Sequence, residues 1–528
     1  MFFQELRRRR VFRVAVVYAG LAFIIFQVAD FTFPALHVPD WFSSAVVIVL
    51  LVGFPIAVGL AWAFDITDKR LVRTPSQKGT PKPAPLTEPD PTRQAVPGAK
   101  PPPSVVVLPF VNMSADPENE YFCDGMAEEL INALTKIEDL RVVARSTAFS
   151  FKGKELDLRE VGRKLNVETV LEGSVRKADN RLRVTAQLIN VADGYHRWSE
   201  RYDRELKDVF AIQDEIAESI VRALRVMLSE KEKRALEKVP TIDVEAYDYY
   251  LRGRKFFYED RRKSLEFARQ MFTRAIQIDS SYALAYAGIA DCCSWLYMYF
   301  ESTQANLREA EEASLKALEL DPDLAEAHVA HGLAVSLSKR YDEAEKEFDT
   351  AIQLNPRLFE VQYFYARTCF VQGKLEKAAL LFEEAYKVRP EDYQAPVFLG
   401  QTYNGLGLKE KEEAAYRRGL ENALKHLDLN PDDVRAIYLG SVALIRLGEQ
   451  KQGLEWASRA LAMDPEDPTV LYNIACNYSL ASRVEEAIDC LEKAVKAGMA
   501  QKEWIENDSD LDALRKHPRF QELLAKMK

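Results

Sequence analysis

A set of small and aromatic residues returns at a fixed interval in the second half of the chain. Ala344, Phe348, Ala351 and Pro356 reappear 34 residues later as Ala378, Phe382, Ala385 and Pro390. An interval of this length is typical of helix pairs that stack side by side. The small residues let two helices approach closely, and the proline ends each pair. This region is therefore predicted to be an all-helical array.

The interval is that of the tetratricopeptide repeat. With insertions, the same frame covers residues 245–498 in about seven repeats, and residues 499–528 have the different composition expected of a terminal cap. Such repeats line an inner, concave wall with their first helices, where aromatic and Arg side chains are suited to anchor a protein or peptide partner. The predicted partner-binding residues are Tyr363, Arg367, Gln401, Asn404, Tyr438, Arg446 and Tyr472. For each of them, ordinary solvated surface remains the alternative.

Two long apolar runs near the N-terminus, residues 12–34 and 42–64, predict two transmembrane helices. At about 1.5 Å of rise per residue, each run is long enough for a hydrocarbon layer of roughly 30 Å. The basic tail, residues 1–11, carries four arginines, whereas the loop between the runs has no Lys or Arg. Because positive charge favours the cytoplasmic side, we predict a multi-pass membrane protein with both termini and the soluble domains on the cytoplasmic side and the lipid bilayer as a partner.

The composition changes twice between the second apolar run and the repeats. Residues 65–103 are rich in proline, which predicts an extended spacer. In residues 104–228, short β-branched runs alternate with helical patterns, and two of these runs predict an antiparallel hairpin. Residues 229–244 follow as a predicted linker helix. The predicted fold class is multidomain: a two-helix transmembrane hairpin, an α/β domain with a mixed sheet, and an all-α tetratricopeptide superhelix.

Several phrases in the α/β domain resemble one family. They include VLPFVNMS, ENEYFCDGMAEELINALTKI, LRVVARSTAFSFKGK and VGRKLNVETVLEGSVRK. The domain is similar to the TolB amino-terminal-like, or FlgO-like, domain of bacterial membrane proteins. In that family it commonly lies between an N-terminal output module, either a class III nucleotide cyclase or the DNA-binding domain of CadC-like regulators, and C-terminal tetratricopeptide repeats. Because only a short tail precedes the first apolar run, we expect no output module here. The resemblance implies a signalling or assembly role and a location in the bacterial inner membrane.

Basic side chains of the α/β domain are candidates for binding a small molecule, because α/β sheets often bind ligands near strand ends. The candidate ligand residues are Arg145, Lys152, Arg176 and Arg201. The alternative is that these charges pair across the sheet or face solvent.

The sequence offers no catalytic constellation. It contains no nucleophile elbow, no HExxH, no Walker lysine and no cyclase signature. The formal net charge of −10 argues against a nucleic-acid partner, and the six cysteines form no CxxC pair. We therefore predict a protein that is not an enzyme and that has no metal and no cofactor.

Together these features predict a membrane-anchored scaffold or signalling adaptor that binds protein partners through its repeats. One alternative is a small-molecule sensor, in which the α/β domain binds the ligand and the repeats relay its presence. A cyclase-associated regulatory protein is the third possibility. The sequence leaves the partner, the signal and the oligomeric state open.

Overall fold

The computed structural model describes β1 (Phe64–Thr67), β2 (Arg70–Arg73) and residues 102–154, 157–229, 232–233, 241, 243–259, 261–499 and 502–527. The chain separates into two units, residues 1–99 and 100–528. In the first unit, β1 and β2 pair antiparallel, with Thr67 opposite Arg70. The second unit contains a mixed sheet and the helical array.

No helix in the described part of the chain is both long enough and apolar enough to cross a membrane. The predicted spans, residues 12–34 and 42–64, lie outside the described residues except for Phe64, which begins a β-strand. By this finding the transmembrane hairpin in the predicted fold class is wrong, and so is the multi-pass membrane location. The bilayer as a partner has no support in the described part of the chain. The prediction relied on the length and hydropathy of two runs alone.

The α/β domain contains one mixed sheet. Its elements are β3 (Ser104–Val107), β4 (Val111–Asn112), α1 (Glu120–Thr135), β5 (Arg141–Val142), α2 (Arg145–Phe149), α3 (Leu158–Leu165), β6 (Thr169–Ala178), β7 (Arg181–Asn190), β8 (His196–Glu205) and α4 (Val209–Leu224). The strand order is β5-β3-β6-β7-β8, and β4 also pairs with β6. Strand β3 runs parallel to β5 and β6, whereas β6, β7 and β8 are antiparallel. A mixed sheet was predicted, and the structure confirms it.

Alternation of side chains along β7 determines where the core of this domain lies. Leu182 and Val184 are fully buried, whereas the intervening Arg181 and Arg183 are exposed. Successive side chains of a strand point to opposite faces, so one face of this hairpin is apolar and the other is polar. The apolar face packs in one cluster with residues of α1 and α4, among them Met126.

Seven antiparallel helix pairs follow within residues 243–499. They are α5 (Val244–Phe257) with α6 (Arg262–Ile278), α7 (Ala283–Tyr299) with α8 (Gln304–Leu320), α9 (Ala325–Leu337) with α10 (Tyr341–Leu354), α11 (Phe359–Val371) with α12 (Leu375–Val388), α13 (Gln394–Gly405) with α14 (Lys409–Leu427), α15 (Val434–Arg446) with α16 (Gln450–Met463), and α17 (Pro468–Leu480) with α18 (Val484–Ala497). The small and aromatic positions of the repeat explain how closely the two helices of a pair pack. A Cβ atom at Gly332 would lie 2.9 Å from the ring of Phe348, so only the smallest residue lets the two helices of the third pair approach this closely.

The C-terminal segment, residues 502–527, folds back onto the array. It comprises α19 (Lys502–Asn507), a 3₁₀ turn (Ser509–Leu514) and α20 (Pro518–Lys526). Ile505, Leu511 and Leu514 are fully buried in one apolar cluster with residues of the last three helix pairs. The segment also contacts α11 and α13, so it reaches along the first helices and does more than cover the end of the last pair.

The α/β domain packs directly on the array. Tyr121 on α1 donates a hydrogen bond to Asp248 on α5 at 2.5 Å. Farther along the array, Arg357 donates to the carbonyl of Leu140 at 2.9 Å, and Lys154 donates to the carbonyl of Leu429 at 2.8 Å. The domain therefore contacts the first helix pair and the loops that precede the fourth and sixth pairs.

Candidate ligand pocket on the inner wall of the array

The predicted partner-binding residues all lie on first helices of the array. Tyr363 and Arg367 are on α11, Gln401 and Asn404 on α13, Tyr438 and Arg446 on α15, and Tyr472 on α17. Four of them bind the C-terminal segment of the same chain. Five of them line a pocket beside that segment, and Gln401 and Tyr472 do both.

Four of the seven residues bind the turn at residues 508–510. Gln401 Nε2 donates to Asp508 Oδ1, Tyr472 Oη donates to Asp508 Oδ2 and Arg446 Nη2 donates to Asp510 Oδ1, each at 2.5 Å. Asn404 Nδ2 donates to Ser509 Oγ at 3.2 Å. These contacts come from three successive helix pairs. The inner wall therefore holds a short acidic peptide segment with charge-assisted hydrogen bonds.

Burial changes the protonation of the acidic turn. Asp508 is 3% exposed. Its burial, and next the neighbouring carboxylate of Asp510, raise the pKa of Asp508 to about 7. The hydrogen bond from Tyr472 acts in the opposite direction but is outweighed. The buried carboxyl of Asp508 therefore binds a proton more readily than an exposed aspartate does.

Tyr363, Arg367 and Tyr438 line a pocket at this turn, together with Gln401, Tyr472, Asp508 and Asp510. Its cavity volume is about 70 Å³, and the pocket is partly open to solvent. Tyr299 from the second helix pair and Trp504 from the C-terminal segment complete its aromatic walls. The pocket therefore lies between the array and its own C-terminal segment.

The guanidinium group of Arg367 is surrounded by aromatic rings. Its central carbon lies 5.1 Å from the ring centroid of Trp504 and 5.7 Å from those of Tyr299 and Tyr363. Nη1 donates a hydrogen bond to the hydroxyl of Tyr299. Among the residues that the structure describes, no carboxylate forms an ion pair with Arg367. The rings stabilise the cation but leave its charge without a counter-ion.

A second guanidinium group, that of Arg435, faces the same pocket. Its central carbon lies 5.0 Å from the ring centroid of Tyr299 and 5.4 Å from that of Trp295, and Nε donates to the hydroxyl of Tyr438 at 3.2 Å. Burial lowers the pKa of Arg367, and so does the charge of Arg435. The phenol groups of Tyr299 and Tyr363 act in the opposite direction and outweigh both, so the pKa of Arg367 is raised. Two cations thus share the ring of Tyr299.

A contact between distant repeats closes one side of the pocket. Thr469 Oγ1, on the first helix of the last pair, donates to the carbonyl of Tyr299 at 3.2 Å. A Cβ atom at Gly498 would lie 3.1 Å from the carbonyl oxygen of Phe300, so the chain passes closely there as well. The curvature of the array therefore brings its second and seventh pairs into contact.

Sequence reasoning did not identify Tyr299, Arg435 or Trp504 as pocket residues. Tyr299 and Trp504 are separated from Arg367 by many residues along the chain, and only the curvature of the array brings them together. Arg435 lies at the start of α15, one turn before Tyr438. That i, i+3 relation to a predicted residue was the one signal available in the sequence.

Two of the candidate ligand residues of the α/β domain take part in ion pairs with other residues of that domain. Arg145 Nε lies 2.8 Å from Glu128 Oε2, and Lys152 Nζ lies 2.5 Å from Asp124 Oδ2. Arg176 and Arg201 are exposed on the polar face of the sheet, opposite Arg183 and Thr185 respectively. The structure does not bring the four candidates together.

Glu128 is the centre of the junction between the two domains. It is 2% exposed and lies between Arg145 on α2 and Arg254 on α5, with Arg254 Nη2 at 2.7 Å from its Oε1. The hydroxyl of Tyr258 also donates to Oε1 at 2.9 Å. Burial alone would raise the pKa of Glu128, but Arg254 and Arg145 hold it below its usual value. The carboxylate is therefore charged and links the α/β domain to the first helix pair.

Comparison with known proteins confirms the repeat assignment. Models of the tetratricopeptide repeat match residues 333–390, 366–425 and 468–497. The C-terminal half of this chain is a tetratricopeptide-repeat array. Tetratricopeptide arrays present extended concave surfaces for binding proteins and peptides.

A protein of Rhizobium meliloti (strain 1021) with the name "Putative adenylate cyclase 3" is 42% identical over 244 residues, which is 46% of this chain and 42% of the relative. The chain thus spans less than half of the length of this relative. Two solved structures show a partial similarity in fold. Human IFIT1 with m7Gppp-AAAA has a TM-score of 0.40 at 17% identity, covering 60% of this chain and 70% of that one. The repeat protein YrrB has a TM-score of 0.25 at 21% identity, covering 36% and 93%.

Proposed function

We propose that the protein is a scaffold that binds a protein partner on the inner wall of its repeats. The observation that carries this proposal is that the wall already binds a peptide segment. Side chains from three successive first helices hold the turn at residues 508–510 of the same chain. Binding of an extended segment by side chains on successive repeats is how a solenoid recognises a partner.

The proposed contact point for the partner is the pocket beside this turn. Tyr363, Arg367 and Tyr438 line it and combine aromatic surface with a positive charge. Residues of these types dominate the binding energy of many interfaces. Because the C-terminal segment occupies the adjacent wall, a projecting side chain or a chain terminus of the partner fits this space better than a long extended peptide.

We propose that the α/β domain serves as a fixed part of the scaffold. Its phrases resemble the TolB amino-terminal-like family, which supports a role in signalling or assembly. Arg145 and Lys152 are occupied in ion pairs, so the observed geometry favours a structural role over a small-molecule site in this domain.

We also propose that the chain is not an enzyme. The name of the Rhizobium meliloti relative favours one alternative, in which the protein is a regulatory partner of a nucleotide cyclase. Cyclase assays on a mixture of this chain and a class III cyclase test that alternative, since a regulatory partner changes the turnover of the cyclase and an unrelated scaffold does not.

Partner capture by the full chain tests the scaffold proposal. Proteins captured on the immobilised chain are identified, and their affinity is then measured with purified material. The triple variant Tyr363→Ala, Arg367→Ala, Tyr438→Ala is expected to lose at least tenfold in affinity. The matched control replaces Tyr386 and Arg418, which stack at 5.3 Å on second helices of the array, and it is expected to bind normally. Unchanged affinity of a folded triple variant would contradict the proposal.

A further inference from the structure

We propose that the inner wall recognises an Asp-x-Asp turn of a protein partner, and that residues 508–510 of this chain occupy the same site when no partner is bound. This inference rests on the proposed function, because it names the chemistry of the segment that the wall binds. It adds that the C-terminal segment of the chain competes with the partner. The partner segment is identified by two carboxylates that are separated by one residue.

The contacts between the wall and the turn are directed at carboxylate oxygens. Gln401 Nε2 and Tyr472 Oη each donate to one oxygen of Asp508, and both hydrogen bonds are 2.5 Å long. Arg446 Nη2 donates to Asp510 Oδ1 at the same distance. The three donors lie on α13, α17 and α15, so three helix pairs together fix the positions of two carboxylates. Hydrogen bonds to ionised groups are stronger than neutral ones, so this arrangement selects acids at the first and third positions of the turn.

The turn keeps its shape through contacts within a short piece of chain. The amide of Asp510 donates to Asp508 Oδ1 at 2.9 Å. The side chain of Arg515 donates to the carbonyls of Glu506 and Asp508 at 2.6 and 3.1 Å. A ligand that is ordered before it binds loses less conformational entropy on binding. A peptide that contains residues 506–515 therefore presents the two carboxylates without the rest of the chain.

The intramolecular contact leaves this site imperfectly satisfied. Arg446 pairs with Asp510 at 2.5 Å and lies 3.8 Å from Glu412, but its buried Nε atom has no hydrogen-bond partner among the described residues. Burial, and next the carboxylate of Asp510, raise the pKa of Asp508. A buried donor without a partner and repulsion between two acids both cost free energy. The segment therefore binds the wall less tightly than its hydrogen bonds alone indicate, and a partner can compete with it.

Apolar contacts show what the partner needs besides its two carboxylates. Ile505 and Leu511 lie on either side of the turn and are fully buried against the last helix pairs. Trp504 packs on Phe370, with ring centroids 5.6 Å apart. Displacement of the segment uncovers the surfaces that these side chains cover. A partner must therefore carry apolar residues next to its Asp-x-Asp turn, and a purely acidic peptide is not expected to compete.

A synthetic peptide of residues 502–516, blocked at both ends, is the probe of the inference. A fluorescent form of the peptide is titrated into the wild-type full chain and into the Asp510→Asn full chain, which loses the ion pair with Arg446. Because the chain's own segment competes most strongly in the wild type, we expect the peptide to bind Asp510→Asn at least tenfold more tightly. Equal affinity for the two folded chains, or no binding to either, would overturn the inference.

Matched variants assign the binding to the carboxylates and to the wall. A peptide that carries both Asp508→Asn and Asp510→Asn should bind at least tenfold more weakly than the parent peptide. Adding Arg446→Gln to the Asp510→Asn chain should weaken binding by a similar factor, and Tyr472→Phe takes its place if that chain does not fold. Arg418→Gln, which alters a ring-stacked arginine on a second helix, is the control and should bind normally. An amide peptide that binds as well as the parent would show that the wall does not recognise carboxylates.

Hydrogen exchange on the wild-type chain provides a readout that needs no variant. Excess peptide should accelerate exchange of the amides of residues 503–514 in the chain, because these residues leave the wall when the peptide takes their place. Unchanged exchange at the highest peptide concentration would overturn the inference. A concentration-dependent dimer of the full chain that Asp510→Asn dissociates would identify the occupant as the segment of a second copy, and would overturn its assignment to a different protein.

The failure of this inference can be distinguished from that of the scaffold proposal. Partner capture that depends on Tyr363, Arg367 and Tyr438, in a chain whose segment no peptide displaces, overturns this inference alone and leaves the scaffold proposal standing.

Discussion

Tyr472 and Asp508 connect the last helix pair to the segment that follows it, through a hydrogen bond of 2.5 Å between the phenol hydroxyl and Oδ2. Both residues are buried, and the segment around Asp508 covers the inner wall of three pairs. This contact shows that the residues after the last repeat belong to the folded array.

Removing the hydroxyl of Tyr472 should destabilise the protein. In Tyr472→Phe, Asp508 keeps its buried position but loses a donor, and an unsatisfied buried acceptor costs about 1–3 kcal/mol. Urea unfolding of the full chain measures the change. Tyr386→Phe is the control, because the hydroxyl of Tyr386 makes no hydrogen bond among the described residues. Equal midpoints for both variants would show that the Tyr472 contact does not stabilise the fold.

The raised pKa of Asp508 should make stability depend on pH in a defined window. The carboxyl titrates near pH 3.8 when unfolded and near 7 when folded, so the folded state binds the extra proton between these values. Its stabilising contribution is complete below about pH 4, falls as the pH rises toward 7, and stays constant above that. Each unit of pKa corresponds to about 1.4 kcal/mol.

Asp508→Asn isolates this effect from other buried acids, because asparagine cannot titrate. The free energy of unfolding of the wild type minus that of the variant should fall between pH 5 and pH 7 and then level off. Parallel curves for the two proteins across that range would contradict the raised pKa.

The repeat frame makes Ala378 intolerant of a large side chain. Ala378 is fully buried on α12, and overpacking a well-packed site costs about 1–3 kcal/mol or more. Ala378→Trp should therefore lower the melting temperature of the full chain. Leu380→Trp on the same helix serves as the control, since Leu380 is 64% exposed and should accept the substitution. A normal melting temperature for Ala378→Trp would mean that the frame is misplaced.

Glu128 should couple the unfolding of the α/β domain to that of the array. In Glu128→Gln, Arg145 and Arg254 lose their shared counter-ion in a buried site, and breaking a buried ion pair costs about 3–5 kcal/mol. Hydrogen exchange should then become faster in α1 and α5 together. Glu215→Gln, which breaks the exposed pair with Arg204, should leave exchange unchanged. Slower or unchanged exchange in Glu128→Gln would exclude this coupling.

Local patterns were sufficient to predict the repeats and the sheet. The recurrence of Ala344 and Ala378 reflects contacts within each helix pair, and the alternation along β7 reflects contacts between neighbouring strands. Such contacts join residues that are close in sequence, so their chemistry is visible as a period. The apolar runs were a weaker guide, because length and hydropathy alone led to a hairpin that no described helix supports.

The pocket could not be predicted from the sequence, because the residues that form it are far apart along the chain. The inner-wall position of Arg367 follows from the repeat frame, but its neighbours Tyr299 and Trp504 depend on the summed rotation of several pairs. Similarly, no local sequence pattern indicates that Asp508 lies against Gln401, since the composition of the C-terminal segment is that of an ordinary polar cap. Contacts of this kind depend on how the whole array curves.

The hydrogen bond between Thr469 and the carbonyl of Tyr299 changes how a repeat protein of this type responds to force and to mutation. An open solenoid resembles a spring, because each repeat touches only its neighbours and the ends move apart freely. Here the second and seventh pairs are in contact, so the repeats between them are held at both ends. A change in the packing angle of any one of these repeats must be compensated by the others, or it must break the contact between the second and seventh pairs. Substitutions far from the pocket should therefore alter its width.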